Sequence, residues 1–371
     1  MRDHEFTARL RAGAESLAAA ADPPSPDVIR RRGDRRRTHG MIAAGVLVFV
    51  TGAGGGGAAY ASLGAPSGAP QAAGAGASQA QSAAASAVSG ASRRIVAVTT
   101  GGAVELLDAS SGVASKVLVP RTDAIGDEIA VSPSGSTVYF AVKRGCADSI
   151  ESVPVTGGTA RPVATGVLPA ISPDGARLAF VRERISGGSD AISYGCQPAG
   201  IHPAGQVSVV VRDLATGHEK VYGTSAVPIS HLSWSPSGQS LLVSAGPGVS
   251  GGWVLSTLDV ATGGSRAVPV TGAASYYREG VFLPGGGLFV DRVCCSGDAS
   301  TVSSTVLQEI DASGGLVRQV AIGYVNRDHT SLDVSAGWLL YLSGHDLFVA
   351  DGTGKAYQVT SGLIAAAWLG A

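Results

Sequence analysis

Residues 362–371 read "GLIAAAWLGA". After Gly362 the residues are apolar and alternate as a strand does, yet nothing follows with which that strand can form a hairpin. Its partner must lie far upstream, and finding it decides the fold. With 371 residues, 53 of them Gly, and only 15% charged side chains, the chain reads as one large all-β domain rather than two average ones.

Upstream, one pattern recurs. A strand runs into a Pro-Gly type turn in "IAVSPSG" ending at Gly135, "AISPDG" at Gly175, "LSWSPSG" at Gly238, "VFLPGGG" at Gly287 and "LDVSAG" at Gly337. Each turn opens a β-rich run such as "STVYFAV" or "QSLLVSA". Pro presets φ and Gly accepts positive φ, so these positions turn the chain between antiparallel strands. A second turn follows in every unit, at Asp108, Pro154, Asp213, Asp259, Asp311 and Asp351, with spacings of 46, 59, 46, 52 and 40 residues. That period is the one expected of four-stranded propeller blades.

With the strands of a blade named a to d, the Pro-Gly turn joins a to b and the Asp-Gly turn joins c to d. Five blades are complete. The unit around Asp108 has b in "RRIVAVTT", c in "GAVELL" and d in "SKVLVP", but no a. "AAWLGA" overlays "LSWSPSG", Trp368 on Trp234, so the final strand supplies the missing a and pairs with "RRIVAVTT". A closed ring hides sheet edges that an open array exposes. The expected fold is an all-β, six-bladed β-propeller whose first and last strands share the closing blade.

The "SPDG" turn followed by an apolar strand, as in "AISPDGARLAFV", resembles the WD40-like repeat of TolB-type six-bladed propellers. With the segments that precede it, the chain is similar to envelope proteins of high-GC Gram-positive bacteria. TolB proteins have a separate N-terminal domain and a periplasmic partner; a linker and an anchor stand in that domain's place here, so the partner does not carry over, and fold alone conveys no function.

Four segments are expected. Residues 1–40 hold nine Arg and six acids, with helical spacing of Phe6, Leu10, Ala14 and Leu17 ended by Pro23 and Pro24. Arg30 to Arg37, "RRRGDRRR", precedes an uncharged run at 41–63, long enough to cross a bilayer. By the positive-inside rule the Arg cluster stays cytoplasmic and the rest lies outside, which makes this a single-pass cell-membrane protein. A cleaved signal ending near "AYA", Ala59 to Ala61, is the other reading; both export the C-terminal part. Gly52 and Gly56 form a GxxxG pair for weak helix dimerisation, or a chance match in a Gly-rich run. Residues 64–92, mostly Ala, Gly, Ser and Gln, read as a flexible tether, and 93–371 as the propeller. The propeller carries a net charge of about −4, which argues against nucleic acid as a partner.

Propeller topology sorts the loops: a-b and c-d turns on one face, b-c and d-a connections on the other. All four Cys are placed in b-c loops. Cys146 and Cys196 fall in neighbouring blades and are expected to form a disulfide outside the cell. Cys294 and Cys295 form a vicinal disulfide, pair with other Cys, or stay free thiols; a structural zinc lacks ligands at suitable spacing. Binding is expected on the face of long loops, through Asp127, Glu128, Tyr276, Tyr277, Arg278, Asn326, Arg327, Asp328 and His329, all read as d-a connections, with Tyr and Arg suited to an interface.

Catalytic motifs lack their context. "GVSGG" at 248–252 matches a nucleophile elbow but has no helix after it and no hydrolase domain around it. "GAGGGG" at 52–57 follows no strand. "DGTGKAY" at Asp351 lacks residues of a phosphate loop, and the seven His are scattered without metal spacing. The reading is a noncatalytic envelope module, without cofactor or metal, that binds a protein, peptide or glycan. The alternative is a propeller lyase or lactonase in the central channel, with Asp127, Glu128, Asp328 and His329 as candidates.

Overall fold

The computed structural model describes residues 93–120, 124–144, 147–184, 206–225, 227–246, 253–270, 275–295, 302–320, 331–335, 337–351 and 355–370. Among these no helix is long and apolar enough to cross a membrane. The segments expected at 1–40, 41–63 and 64–92 lie outside the described residues, as do Cys146, Cys196 and the "GVSGG" serine.

Six four-stranded antiparallel sheets follow one another. Blade 1 holds β1 (Arg94–Thr99), β2 (Val104–Asp108), β3 (Ala114–Val119) and, as its a strand, β24 (Leu363–Leu369). Blade 2 is β4 (Ala124–Val131), β5 (Thr137–Arg144), β6 (Ala147–Pro154) and β7 (Arg161–Thr165). Blade 3 is β8 (Val167–Ile171), β9 (Arg177–Arg184), β10 (Gln206–Asp213) and β11 (Glu219–Ser225). Blade 4 is β12 (Ile229–Trp234), β13 (Ser240–Ala245), β14 (Val254–Asp259) and β15 (Ser265–Ala267). Blade 5 is β16 (Ser275–Phe282), β17 (Leu288–Cys295), β18 (Val302–Ile310) and β19 (Leu316–Val320). Blade 6 is β20 (Leu332–Ser335), β21 (Trp338–Ser343), β22 (Asp346–Ala350) and β23 (Ala356–Ser361). The terminal strand finds the partner the repeat count requires: Arg94 pairs with Leu369, Ile95 with Trp368 and Val96 with Ala367.

Each blade packs its two faces on two neighbours, and the b strands therefore carry continuous apolar runs, interrupted in β17 by Asp291 and Arg292. In β1, Ile95 and Ala97 enter the core shared with blade 6, while Val96 and Val98 enter the core shared with blade 2. Strand periodicity sends successive side chains to opposite faces, and both faces are buried here. The remaining cores repeat this between blades 2 and 3, 3 and 4, 4 and 5, and 5 and 6. One core per interface makes the ring a chain of nearest-neighbour contacts whose last link is β24.

The two turn types hold as expected. In the a-b turns Gly135, Gly175 and Gly238 have φ near +70°, and each donates its N–H to the carbonyl of Ser132, Ser172 or Ser235. The same serines accept through Oγ the amides of Thr137, Arg177 and Ser240 at 2.9–3.0 Å. In the c-d turns the Asp carboxylates accept turn amides: Asp213 from Thr216 at 2.8 Å, Asp259 from Thr262 at 2.7 Å and Asp311 from Ser313 at 2.8 Å.

The inner strands run further back than expected. Asp127 and Glu128 belong to β4, and Tyr276 to Glu279 to β16, so none is a loop residue. Cys294 and Cys295 are likewise ladder residues at the end of β17, opposite Ser304 and Val302, rather than members of the b-c loop. The expectation failed because these stretches are polar and irregular. β-Bulges accommodate them, with register shifts between Tyr277 and Glu279, Ile229 and His231, and Val167 and Ala170. In the last of these Leu168 adopts φ 55°, a left-handed conformation that costs a non-glycine residue roughly 1–2 kcal/mol.

Candidate functional site

The six a strands stand around the channel with one backbone edge unpaired. At the a-b turn end they enclose a cavity of about 370 Å³. The residue two places before each turn's first position lines it in every blade: Ala130, Ala170, Ser233, Val281, Asp333 and Ala367. Five of these are small or apolar and one is a carboxylate. Trp234, Phe282 and Trp368 add aromatic wall, and Ser132, Ser331 and Ser335 add hydroxyls.

Asp333 sits at a seam. Its Oδ2 accepts the Trp368 amide of β24 at 2.8 Å, and its Oδ1 accepts the Val334 amide at 2.8 Å. Burial pushes its carboxyl above the usual range, opposed by those two amides and by the His231 imidazole. His231 is 3% exposed and reaches the Gly280 carbonyl of the next blade through Nε2 at 2.7 Å; the carbonyl accepts, so Nε2 carries the proton. Nearby, the Arg93 guanidinium lies 5.5 Å from the ring centre of Trp338 and 5.8 Å from that of Trp368, and donates to the Ser335 carbonyl at 3.1 Å. At the equivalent seam between blades 3 and 4, Trp234 donates Nε1 to the Ala170 carbonyl at 3.0 Å and Arg177 stacks on its ring at 4.8 Å.

The residues expected to bind are placed as follows. Tyr277 is fully buried in the core between blades 4 and 5. Arg278, at the bulge of β16, pairs with Asp291 at 2.7 Å; burial raises the Asp291 carboxyl, and Arg278 opposes that rise. Tyr276 is half-buried. Asp127 and Glu128 are placed as backbone in β4, whereas Asn326, Arg327, Asp328 and His329 lie outside the described residues. Asp333 and His231 were missed. The available signal for Asp333 was its place in the repeat, where "LDVS" carries an acid at the position of Ser233 in "LSWS".

No protein-family model and no curated protein matches the chain. Among solved structures it is similar to TolB from Acinetobacter baumannii, with TM-score 0.56 and 14% identity over 75% of this chain and 66% of that one. It also aligns with a putative TolB from Agrobacterium tumefaciens, at TM-score 0.43 and 15% identity over 61% and 76% of the two chains. An oligogalacturonate lyase from Vibrio parahaemolyticus aligns at TM-score 0.48 and 10% identity over 70% and 71%. Six four-stranded sheets closed by the last strand, together with the overlay on the Acinetobacter protein, make this chain a six-bladed β-propeller of TolB-like fold.

Proposed function

We propose that this chain is a noncatalytic binding protein of the cell envelope, held to the membrane by residues 41–63 and their tether, with its propeller outside the cell. Its channel receives a segment of a protein, peptide or glycan partner. The observation that carries this reading is the cavity of about 370 Å³ at the a-b turn end. It has the size and mixed apolar and polar lining of a ligand site. Its two ionisable side chains engage backbone groups, Asp333 the amides of Trp368 and Val334 and His231 the carbonyl of Gly280, so they support neighbouring blades.

Crosslinking in living cells from a photoreactive residue at position 233, followed by mass spectrometry, tests the reading. One envelope partner is expected, captured from position 233 and not from the outer surface. Capture no different from a photoreactive residue at exposed Val317 would overturn it, and a stoichiometric metal in the purified chain would point to the propeller enzyme instead.

A further inference from the structure

We propose that the group anchored in this cavity is a primary ammonium on an aliphatic stem, a lysine side chain presented by the partner, with Asp333 as its counter-ion. The inference rests on the channel being the binding site. It begins from the six equivalent positions around the cavity, where Ala130, Ala170, Ser233, Val281 and Ala367 are neutral and Asp333 alone is an acid. No Lys or Arg is among the lining residues.

Three other carboxylates in the described residues, each at least partly shielded, meet guanidinium groups. Asp291 has Arg278 at 2.7 Å, Glu219 has Arg182 at 2.9 Å and Arg212 at 3.0 Å, and Glu309 has Arg318 at 2.5 Å. Asp333 has amides only, one on each oxygen. A carboxylate oxygen accepts two hydrogen bonds, so each retains a site for a donor arriving from the cavity. The amides and the His231 imidazole together leave the burial cost of the charge incompletely offset, since the carboxyl still lies above its usual range. A cation completes the offset. The alanines and Val281 leave room for a methylene stem, and of the aromatic rings in the wall Phe282 favours a cation beside it, since Trp234 and Trp368 already face Arg177 and Arg93.

The test uses the full chain in detergent and two probes, acetyl-Ala-Lys-Ala amide and the same peptide with norleucine, which keeps the stem and drops the charge. Binding is read by calorimetry and by fluorescence of the cavity tryptophans. The lysine peptide is expected to bind about tenfold tighter, the equivalent of roughly 1.4 kcal/mol, and Asp333→Asn to erase that preference. Because Asp333 also holds β24, a second variant leaves it intact: Ser233→Asp adds an acid at an equivalent position and should tighten the lysine peptide severalfold without tightening the norleucine one. Equal binding of both peptides, each abolished by Ser233→Trp, overturns the ammonium assignment while the channel stands as a site. A lysine preference that survives Asp333→Asn also overturns it. Failure of both peptides to bind overturns it too, and crosslinking from position 233 then decides the wider reading separately.

Discussion

Ser172 has no exposed surface, and its one hydroxyl organises a whole turn: it accepts the Arg177 amide at 2.9 Å and donates to the Asp174 carboxylate. Replacing it with Ala leaves the Arg177 amide short of a partner, so Ser172→Ala should lower stability by about 1–2 kcal/mol, read as a lower denaturant midpoint at unchanged slope. In the c-d turns the Asp carboxylates titrate below their ordinary value. Thr216 holds Asp213 down through its amide and hydroxyl, Thr262 does so for Asp259, and Ser313 with the Gly315 amide does so for Asp311. A depressed folded pKa means stability that is present above the unfolded value of ~3.9 and lost as pH falls through the lower folded value. Asn keeps the turn acceptor without the charge. The triple variant Asp213→Asn, Asp259→Asn, Asp311→Asn should therefore be less stable than the parent at pH 7 and converge on it in acid, below the folded values. A gap that stays unchanged from pH 7 through the whole acid range would show that the charge contributes nothing.

At the scale of elements, what burial on two faces dictates was readable and what inner-edge geometry dictates was not. The b strands announce themselves because "IVAV" at 95–98 and "LLV" at 241–243 must be apolar throughout, and the turns because Ser, Pro, Asp and Gly each have one conformational use. The a strands hid their beginnings behind bulges at Arg278 and Ser230, where a polar residue sits on an inner strand whose free edge no ladder constrains. Asp333 was legible only by comparison across blades, and nothing in the sequence marks His231 as reaching Gly280. A further device emerges only from the fold. Tyr222 of β11 donates its hydroxyl to the Val260 carbonyl of the next blade at 2.6 Å, and Lys220 reaches the same carbonyl and that of Ala261 at 3.0 and 2.9 Å. Lys116 of β3 likewise donates to the Thr156 carbonyl of blade 2, so outer strands staple themselves to the neighbouring c-d turn. Tyr222→Phe keeps the ring in the core and leaves one buried carbonyl with a weaker set of donors, for an expected loss of about 1 kcal/mol. A midpoint unchanged from the parent would mean that the Lys220 bonds suffice.

For the whole molecule, the decisive link is the one that joins the end of the propeller to its beginning. β24 contributes Leu363, Ala366 and Trp368 to the core between blades 6 and 1, and Ala365 and Ala367 to the core between blades 1 and 2. It also places the Trp368 amide on Asp333 and the Trp368 ring beside Arg93. Two of the six interfaces thus share one strand of seven residues. Trp368→Ala removes the largest of these side chains and should cost about 3–5 kcal/mol; Arg93 loses one of its two aromatic rings, while the backbone amide of residue 368 stays on Asp333. Deleting residues 362–371 goes further: the inner edge of β1 is left unpaired, and the ring becomes an open array with one blade of three strands. Such a chain should unfold at a lower denaturant concentration and over a broader range, since blades coupled only to neighbours lose their shared transition when the circuit is cut. Supplying a synthetic peptide of residues 362–371 should restore part of the lost midpoint in a concentration-dependent manner, as a ligand that binds only the folded state must. A deleted chain that unfolds with the parent's midpoint and slope would mean that the blades stand without closure, and the channel, whose wall includes Ala366, Ala367 and Trp368, would then need another explanation for its shape.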